Sequence, residues 1–172
     1  SSTLSFVHGS SSVILDNTYP IYKFEFINCH PANNNVFFEF NMSVDSGSNY
    51  NVTKTTTFFQ AELSEAGGGA QISYDGDDDL AESGDFQHIS DAVGNDNDAN
   101  TNGYLTIFNP SSTTFVKHFI AQGSGMYASS YIIPAYSAGY GNTTSAVNAI
   151  RFQFNSGAIA SGKIKLYGIK DS

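Results

Sequence analysis

The chain has 172 residues, a length typical of one domain that buries its own core. Its 7 basic and 16 acidic residues give a net charge of −9, which argues against nucleic acid as a partner because phosphates require a basic surface. A single cysteine, Cys29, excludes an internal disulfide, and no run of residues approaches the roughly 20 apolar positions of a membrane helix.

The composition favours strands over helices. The sequence contains 14 Phe and 10 Tyr but no Trp, only 13% of its residues are charged, and it is rich in Asn, Ser, Thr and Gly. Aromatic residues suit strands, and small polar residues suit the turns between them. The chain begins Ser-Ser-Thr without Met and lacks a signal-peptide pattern, so we expect a processed or trimmed chain, or the ordered part of a longer protein.

The first part of the chain alternates between strand patterns and turns. Strands are predicted at residues 4–7, 12–15, 20–28, 36–43 and 50–63. In the clearest pattern, Tyr22, Phe24 and Phe26 share one face, and the charged residues between them share the other. The connecting segments are rich in Asn, Gly and Ser, which is typical of turns.

The middle of the chain is acidic and irregular. Eleven Asp and Glu residues, and no Lys or Arg, lie between Lys54 and Lys117. Apart from a short strand at 72–74, the stretch at about 64–102 is predicted to be a long irregular region held by isolated apolar residues. Its charge indicates either an acidic functional face or solvated loops that keep the protein soluble.

Regular strands resume after this region, at residues 104–109, 113–121 and 127–136, followed by a predicted loop at 137–145. Pro134 favours an edge position for the third of these strands, because proline cannot donate to a strand ladder. The chain closes with two alternating arms within residues 149–169, and we expect their apolar faces to be buried. Gly157 and Gly162 supply turn chemistry between the arms, so a closing hairpin is predicted.

These patterns predict an all-β fold. About nine or ten strands occur at regular spacing, and no segment has the periodicity of an amphipathic helix. The chain is longer than an immunoglobulin domain and lacks its Cys and Trp pattern. We therefore expect a single domain over residues 1–172, a jelly-roll-like antiparallel β-sandwich whose acidic middle lies in loops.

Asp75, Asp77 and Asp79 form the candidate metal site. Clustered carboxylates can bind calcium, which prefers about six to eight oxygen ligands. The segment departs from an EF-hand loop, because Leu80 and Phe86 stand where that motif requires Gly and Glu. The alternative is an exposed acidic loop. Calcium aside, we expect no cofactor, and the scattered histidines argue against zinc.

The sequence contains no catalytic motif. A serine on a strand-to-helix elbow is missing, and the carboxylate pair of a glycoside hydrolase is recognised only in a structure. We therefore expect no enzymatic activity. A hydrolase is the alternative hypothesis, which assays against a panel of substrates would test. Tyr127, Tyr131, Tyr136 and Tyr140 lie among Gly and Ser, which suits a protein interface, a sugar-stacking platform or an aromatic core with exposed hydroxyls.

The closing arms also carry a family resemblance. Residues 144–154, followed by 156–169, resemble a recurring ending of structural proteins in tailed phages of marine bacteria, including cyanophages and pelagiphages. Blocks at 22–31, 48–55, 93–98 and 105–119 resemble the same group, so the similarity spans most of the chain from about residue 20. Ala158 departs from similar endings, which often have Asn there, and this change affects turn preference.

Members of this group are described as tail-fibre, head-decoration or structural proteins, and they bring no catalytic residues. The resemblance implies a non-enzymatic structural protein at the virion surface of a tailed bacteriophage, foremost a capsid decoration protein. A tail-fibre or receptor-binding domain is the alternative, and a carbohydrate-binding module built on the tyrosines is a further one. The implied partners are capsid or tail proteins, copies of the chain itself with a trimer favoured, and a host surface glycan.

Arg151, Lys163, Lys165 and Tyr167 form the one dense basic group of this acidic chain. If the two closing arms pair as a hairpin, these residues share its outer face. We therefore expect this basic strip to contact a neighbouring subunit or the shell.

Overall fold

The computed structural model describes residues 1–127 and 130–171. All regular structure in these residues is β: eleven strands in antiparallel pairs, and no helix that could cross a membrane. The strands pack as a β-sandwich, which confirms the predicted fold class. The strand count is eleven, compared with the nine or ten that were predicted.

Most strands alternate between buried and exposed side chains, as β-structure with one covered face requires. The strands in chain order are β1 (Thr3–Val7), β2 (Ile21–Pro31), β3 (Val36–Ser43), β4 (Lys54–Ser64), β5 (Gln71–Tyr74), β6 (Gln87–Val93), β7 (Thr101–Phe108), β8 (Lys117–Tyr127), β9 (Tyr131–Gly141), β10 (Ala149–Phe154) and β11 (Ile159–Ile169). No strand forms at residues 12–15, where Ser12 lies in a turn and residues 13–15 have no regular secondary structure.

The strands form a shorter and a longer layer. The shorter layer has the order β1-β10-β3-β6, and the longer has the order β11-β2-β7-β8-β9-β4-β5. One residue pair, Val93 and Tyr127, joins β6 to β8, so the layers belong to one folded sheet. Gly123 of β8 permits this close approach, because a side chain there would collide with the backbone of Ile89 on β6.

Phe152 of β10 lies at the centre of the core between the layers. Its ring centroid is 5.1 Å from those of Phe24 and Phe26 on β2, and 6.2 Å from that of Phe38 on β3. The other inward positions are also mainly aromatic or aliphatic. Burial of each such side chain contributes about 1.5–3 kcal/mol, so this core dominates the stability.

The predicted closing hairpin is wrong. β10 pairs with β1 and β3 in the shorter layer, whereas β11 pairs with β2 at the edge of the longer layer. The chain crosses between the layers at residues 155–158, where the N–H of Ala32 donates to the carbonyl of Ala158. The predicted inward faces are confirmed, since Phe152 is buried and Leu166 packs against the core.

The acidic middle is more regular than predicted, because it contains β5 and β6. Gln87 and Ser90 of β6 are fully buried and hydrogen-bonded. The Thr56 hydroxyl donates to Gln87, and the hydroxyls of Ser90 and Thr101 bond each other. These partners compensate the burial of polar groups, so a segment that is polar in sequence takes part in the core.

β9 is a central strand and not the predicted edge strand, since it pairs with both β8 and β4. Pro134 fits because pairing with β4 is interrupted between Ala135 and Ile132. The strand continues to Gly141 and so includes the first five residues of the predicted loop at 137–145. Gly139 allows this, because a side chain there would collide with the backbone of Thr55 on β4.

Candidate functional site

The outward side of the longer layer is a broad, mostly uncharged surface, which we call the open face and which consists of the outward side chains of β4, β5, β7, β8 and β9. Residues directly opposite in antiparallel strands share a face, and the register aligns Tyr74, Phe59, Tyr136, Gln122 and Tyr104 in one row. Phe59 and Tyr136 stack with ring centroids 5.1 Å apart, and the Gln122 amide donates to the Tyr136 hydroxyl at 3.2 Å. The row is therefore ordered by its own side-chain contacts.

Large apolar side chains lie exposed around this row. The exposed fraction is 49% for Ile120 on β8 and 45% for both Ile132 on β9 and Leu63 on β4. A shallow depression of about 440 Å³, next to Ile120, is lined mainly by apolar atoms and includes Tyr140. Soluble proteins rarely expose such contiguous apolar surface without an interaction that uses it.

Charged side chains lie at one end of the open face, on β2 and β11. The Lys23 amine is 3.0 Å from the Glu25 carboxylate and 5.0 Å from the centroid of the Tyr104 ring. Lys165 stands opposite Glu25 on the neighbouring strand. The open face thus has an uncharged centre and a charged margin, a distribution that resembles the core and rim of protein interfaces.

The outward side of the shorter layer is different, because it is polar and loops cover it. The Gln153 amide donates to Glu39 at 2.7 Å. The Arg151 guanidinium lies 3.9 Å from the centroid of the Tyr50 ring, and its Nε donates to the Ser5 hydroxyl. In the part of the chain that the structure describes, the open face is the more exposed and more apolar of the two outer surfaces.

His88 joins the loop at residues 75–86 to this covered side. Its Nδ1 is 2.6 Å from Oδ1 of Asp78, its Nε2 is 3.5 Å from Oε2 of Glu39, and its ring stacks on Phe37 with centroids 4.3 Å apart. Burial lowers the pKa of His88, but hydrogen bonds and charge from the two carboxylates outweigh burial and raise it to about 9. At neutral pH the ring is therefore protonated, and its charge holds Asp78 of the loop next to Glu39 of β3.

Lys54 is a basic residue whose side chain is fully buried at the start of β4. Its Nζ donates to Oδ1 of Asn41 at 2.6 Å and to the carbonyl of Val52 at 2.8 Å. Burial lowers the pKa of Lys54 to about 7, and the charge of Asp85 opposes this only in part. Its hydrogen-bond partners carry no charge, so they do not offset the cost of burying the ammonium group.

A cleft of about 810 Å³ opens between the layers where β4, β5, β6 and β9 come together. Tyr127 and Tyr131 line it with ring centroids 6.2 Å apart and planes inclined by 70°. Phe37 contributes a third aromatic ring, and Glu62 and Asp91 contribute carboxylates. This combination of aromatic and polar walls differs from the apolar open face.

One buried side chain holds the two cleft carboxylates. Nε2 of Gln60 lies 3.4 Å from Oε1 of Glu62 and 3.1 Å from Oδ2 of Asp91. Burial raises the pKa of Asp91, and the Gln60 hydrogen bond opposes this. A glycoside hydrolase leaves the space between its two carboxyl groups for the scissile bond. Here an amide occupies that space, so the pair is built to accept hydrogen bonds.

The four predicted tyrosines fall into two places. Tyr127 and Tyr131 line the cleft, whereas Tyr136 and Tyr140 lie on the open face. Tyr140 packs near His118, with ring centroids 5.7 Å apart. The predicted single aromatic platform is therefore divided, because successive residues of β9 face opposite sides of the layer and Tyr131 and Tyr136 are five positions apart.

The predicted basic strip is also divided. Arg151 lies on β10 in the shorter layer, whereas Lys163, Lys165 and Tyr167 lie on β11 at the edge of the longer layer. Arg151 is already engaged with Tyr50 and Ser5. The prediction of one basic strip depended on the closing hairpin and is wrong for the same reason. The β11 residues form a smaller group at the margin of the open face.

The acidic cluster is placed in the loop at residues 75–86. The N–H of Asp77 donates to Asp75, and the hydroxyl of Tyr74 donates to Asp79. Within residues 1–127 and 130–171, no group of three or more His, Cys, Asp or Glu side chains is arranged so that it could hold a metal ion. Asp78, which lies between the candidate ligands, bonds His88 and anchors the loop.

Sequence reasoning missed Gln60, Glu62 and Asp91. Gln60 and Asp91 are 31 positions apart, and no local spacing signals their contact. Gln60 and Glu62 alternate with the outward residues of β4, so a weak signal for their shared direction was present.

A comparison of the chain with protein-family models, curated proteins and solved structures finds no match.

Proposed function

We propose that this protein is a non-enzymatic structural protein of a tailed-phage virion surface, and that it decorates and stabilises the capsid by docking through the open face. The observation that carries the proposal is the exposed row of Tyr74, Phe59 and Tyr136, in which Phe59 and Tyr136 stack, with exposed aliphatic side chains beside it. Aromatic anchors in an apolar centre with a charged rim are typical of protein interfaces. The sequence resemblance supplies the virion as the setting.

The chemistry of the interior supports a structural role. His88, Asp78 and Glu39 bind one another and hold the loop at residues 75–86 in place. The amide of Gln60 lies between the two cleft carboxylates. A general acid or base must instead reach a proton on a bound substrate. These ionisable groups are arranged to hold the fold and to accept hydrogen bonds.

Symmetric copies around a shell position suit this docking mode. Decoration of a capsid places identical subunits around its symmetry axes, and a trimer is the favoured assembly. Lys163, Lys165 and Tyr167 on β11 lie at the edge of the longer layer, where a neighbouring copy or an acidic shell surface would meet them. The net charge of −9 then faces the surrounding solvent and keeps the particles soluble.

The test is rebinding of purified protein to particles that lack it, measured by co-sedimentation. Ile120→Glu places a charge in the middle of the open face and is expected to abolish rebinding. The matched control is Phe115→Glu, since Phe115 is 69% exposed but lies in a loop before β8. Equal rebinding of both variants would refute docking through the open face.

Location within the particle distinguishes the forms of the proposal. Immunogold labelling or a cryo-EM map is expected to place the protein on the head. Labelling confined to the tail would replace decoration with a tail-fibre or receptor-binding role, and loss of host adsorption on Ile120→Glu would support that role. Labelling of neither part would refute a virion function altogether.

A further inference from the structure

We propose that the cleft between the layers binds a neutral oligosaccharide, with Tyr127 and Tyr131 stacking against the sugar rings and Glu62 and Asp91 accepting hydrogen bonds from sugar hydroxyls. The cleft residues alternate with those of the open face along β4 and β9, so they point to the opposite side of the layer. The inference therefore goes beyond the proposed docking function and does not depend on it.

The size of the cleft suits several sugar rings. Its volume of about 810 Å³ lies within the range of roughly 300–1,000 Å³ that is typical of small-molecule sites. It is bounded by rigid elements, since β4, β6 and β9 are all paired on at least one side. A preformed site of this kind loses little conformational entropy when a ligand binds.

The aromatic wall is held in place by backbone packing. The ring of Tyr131 lies against Gly69, where an added Cβ would come within 3.1 Å of its Cε1 atom. Tyr127 meets Tyr131 edge to face, so the two rings present surfaces in different directions. Phe37 is fixed from behind by its stack on His88. Rigid rings with polar edges bind sugar faces at low entropic cost.

The polar wall is preorganised to accept hydroxyl hydrogens. Gln60 is 4% exposed, and its amide nitrogen holds one oxygen of each carboxylate. The Gln71 amide binds the second oxygen of Glu62 at 3.1 Å. In the described part of the chain, Oδ1 of Asp91 has no donor, so a hydroxyl from a ligand can bind there. Asn35 and Gln71 add amide groups at the margin.

The charge of the cleft selects among ligands. Among the described residues, two carboxylates and no basic side chain line it, so sulfated sugars and uronates are repelled. An aromatic site with carboxylates also suits a quaternary ammonium group, but such a group would fill only a small part of this volume. Amides beside the carboxylates match the mixed donors and acceptors of neutral hexoses.

The experiment is an NMR titration of the full chain with maltohexaose, cellohexaose, laminarihexaose and chitohexaose, with hexagalacturonate and choline as contrasting probes. At least one neutral hexasaccharide is expected to bind and to shift backbone signals of β4, β6 and β9. Tyr131→Ala is expected to weaken that binding by about tenfold or more, as for a central aromatic anchor. Tyr131→Phe keeps the ring and is expected to retain most of the affinity.

The matched control is Tyr140→Ala, because Tyr140 lies on the open face and should leave binding unchanged. Thermal unfolding of each variant separates loss of fold from loss of binding. No binding of any neutral hexasaccharide, stronger binding of hexagalacturonate or choline, or equal effects of Tyr131→Ala and Tyr140→Ala would each overturn the proposal. Failure here would leave particle rebinding unaffected, and failure of rebinding would leave saccharide binding unaffected.

Discussion

His88 of β6 holds Asp78 across a distance of 2.6 Å, and this contact fastens the loop at residues 75–86 onto the shorter layer. The second ring nitrogen faces Glu39, which is itself bound by Gln153 of β10. One imidazolium thus connects an acidic loop to two neighbouring strands. Without this cation, two nearly buried carboxylates would have no positive charge beside them, which is unfavourable.

Replacement of this histidine should release the loop. His88→Gln removes the positive charge and leaves Asp78 and Glu39 without a cation, so we expect a loss of about 3 kcal/mol in the free energy of unfolding. Hydrogen–deuterium exchange should rise in residues 75–86 more than in β7 or β8. The matched control is His118→Gln, because His118 is exposed on the open face. Equal exchange in both variants would show that His88 does not hold the loop.

His88 and Lys54 should give opposing pH dependences of stability. The pKa of His88 is raised to about 9, so its contribution is complete below about pH 6.5 and is lost as pH rises through 9. The pKa of Lys54 is lowered to about 7, so between pH 7 and 10.5 the unfolded chain holds a proton that the folded chain lacks. Its contribution to stability therefore increases with pH over that range.

Single variants separate these two effects between pH 7 and 9. Lys54→Met should leave a free energy of unfolding that falls with pH, and His88→Gln should leave one that rises, each by at most about 1.4 kcal/mol per pH unit. Urea unfolding at several pH values in this interval measures both slopes. If both variants keep the slope of the unaltered protein, neither residue titrates as the structure indicates.

The core could be read from the sequence, but the strand partners could not. Alternation placed Phe24 and Phe152 on buried faces because it reports which side of a strand is covered. It carries no information on which strand lies beside which, and so β10 and β11 were taken as a pair although they belong to different layers. Pairing is decided by contacts far apart in the chain, such as that of Phe152 with Phe24.

The candidate sites show the same limit. The tyrosines were predicted to form an interface or a sugar-binding surface. Tyr131 and Tyr136 nevertheless lie on different surfaces, because residues an odd number of positions apart in β9 face opposite sides of the layer. β6 was missed because its buried Gln87 and Ser90 look like loop residues until their hydrogen-bond partners are known. Glu62 and Asp91 had no distinguishing pattern, since only folding brings them to the same amide.

Gly123 should be intolerant of a side chain. A Cβ at this position would collide with Ser90 and with the carbonyl of Ile89, where β8 passes β6 at the junction of the layers. Gly123→Ala should therefore lower the free energy of unfolding by about 1–3 kcal/mol. Gly76→Ala is the matched control, because nothing lies within 4 Å of a Cβ there, and its effect should stay within about 0.5 kcal/mol. Urea unfolding measures the stability of both variants. If they are equally stable, β8 does not approach β6 closely at Gly123.

Phe152 should be the most costly aromatic residue to remove, because its ring contacts both layers. It lies within 6.4 Å, between centroids, of Phe6, Phe24, Phe26, Phe38 and Phe40. Phe152→Ala would leave a cavity among rigid rings that cannot collapse into it, and a loss of about 3–5 kcal/mol is expected.

The matched control for Phe152 is Phe115→Ala, since Phe115 is 69% exposed and its truncation opens no cavity. Phe152→Leu refills part of the space and should recover part of the loss. Urea unfolding of the three variants tests this order. A cost for Phe152→Ala as small as that for Phe115→Ala would mean that the two layers do not share a core centred on Phe152.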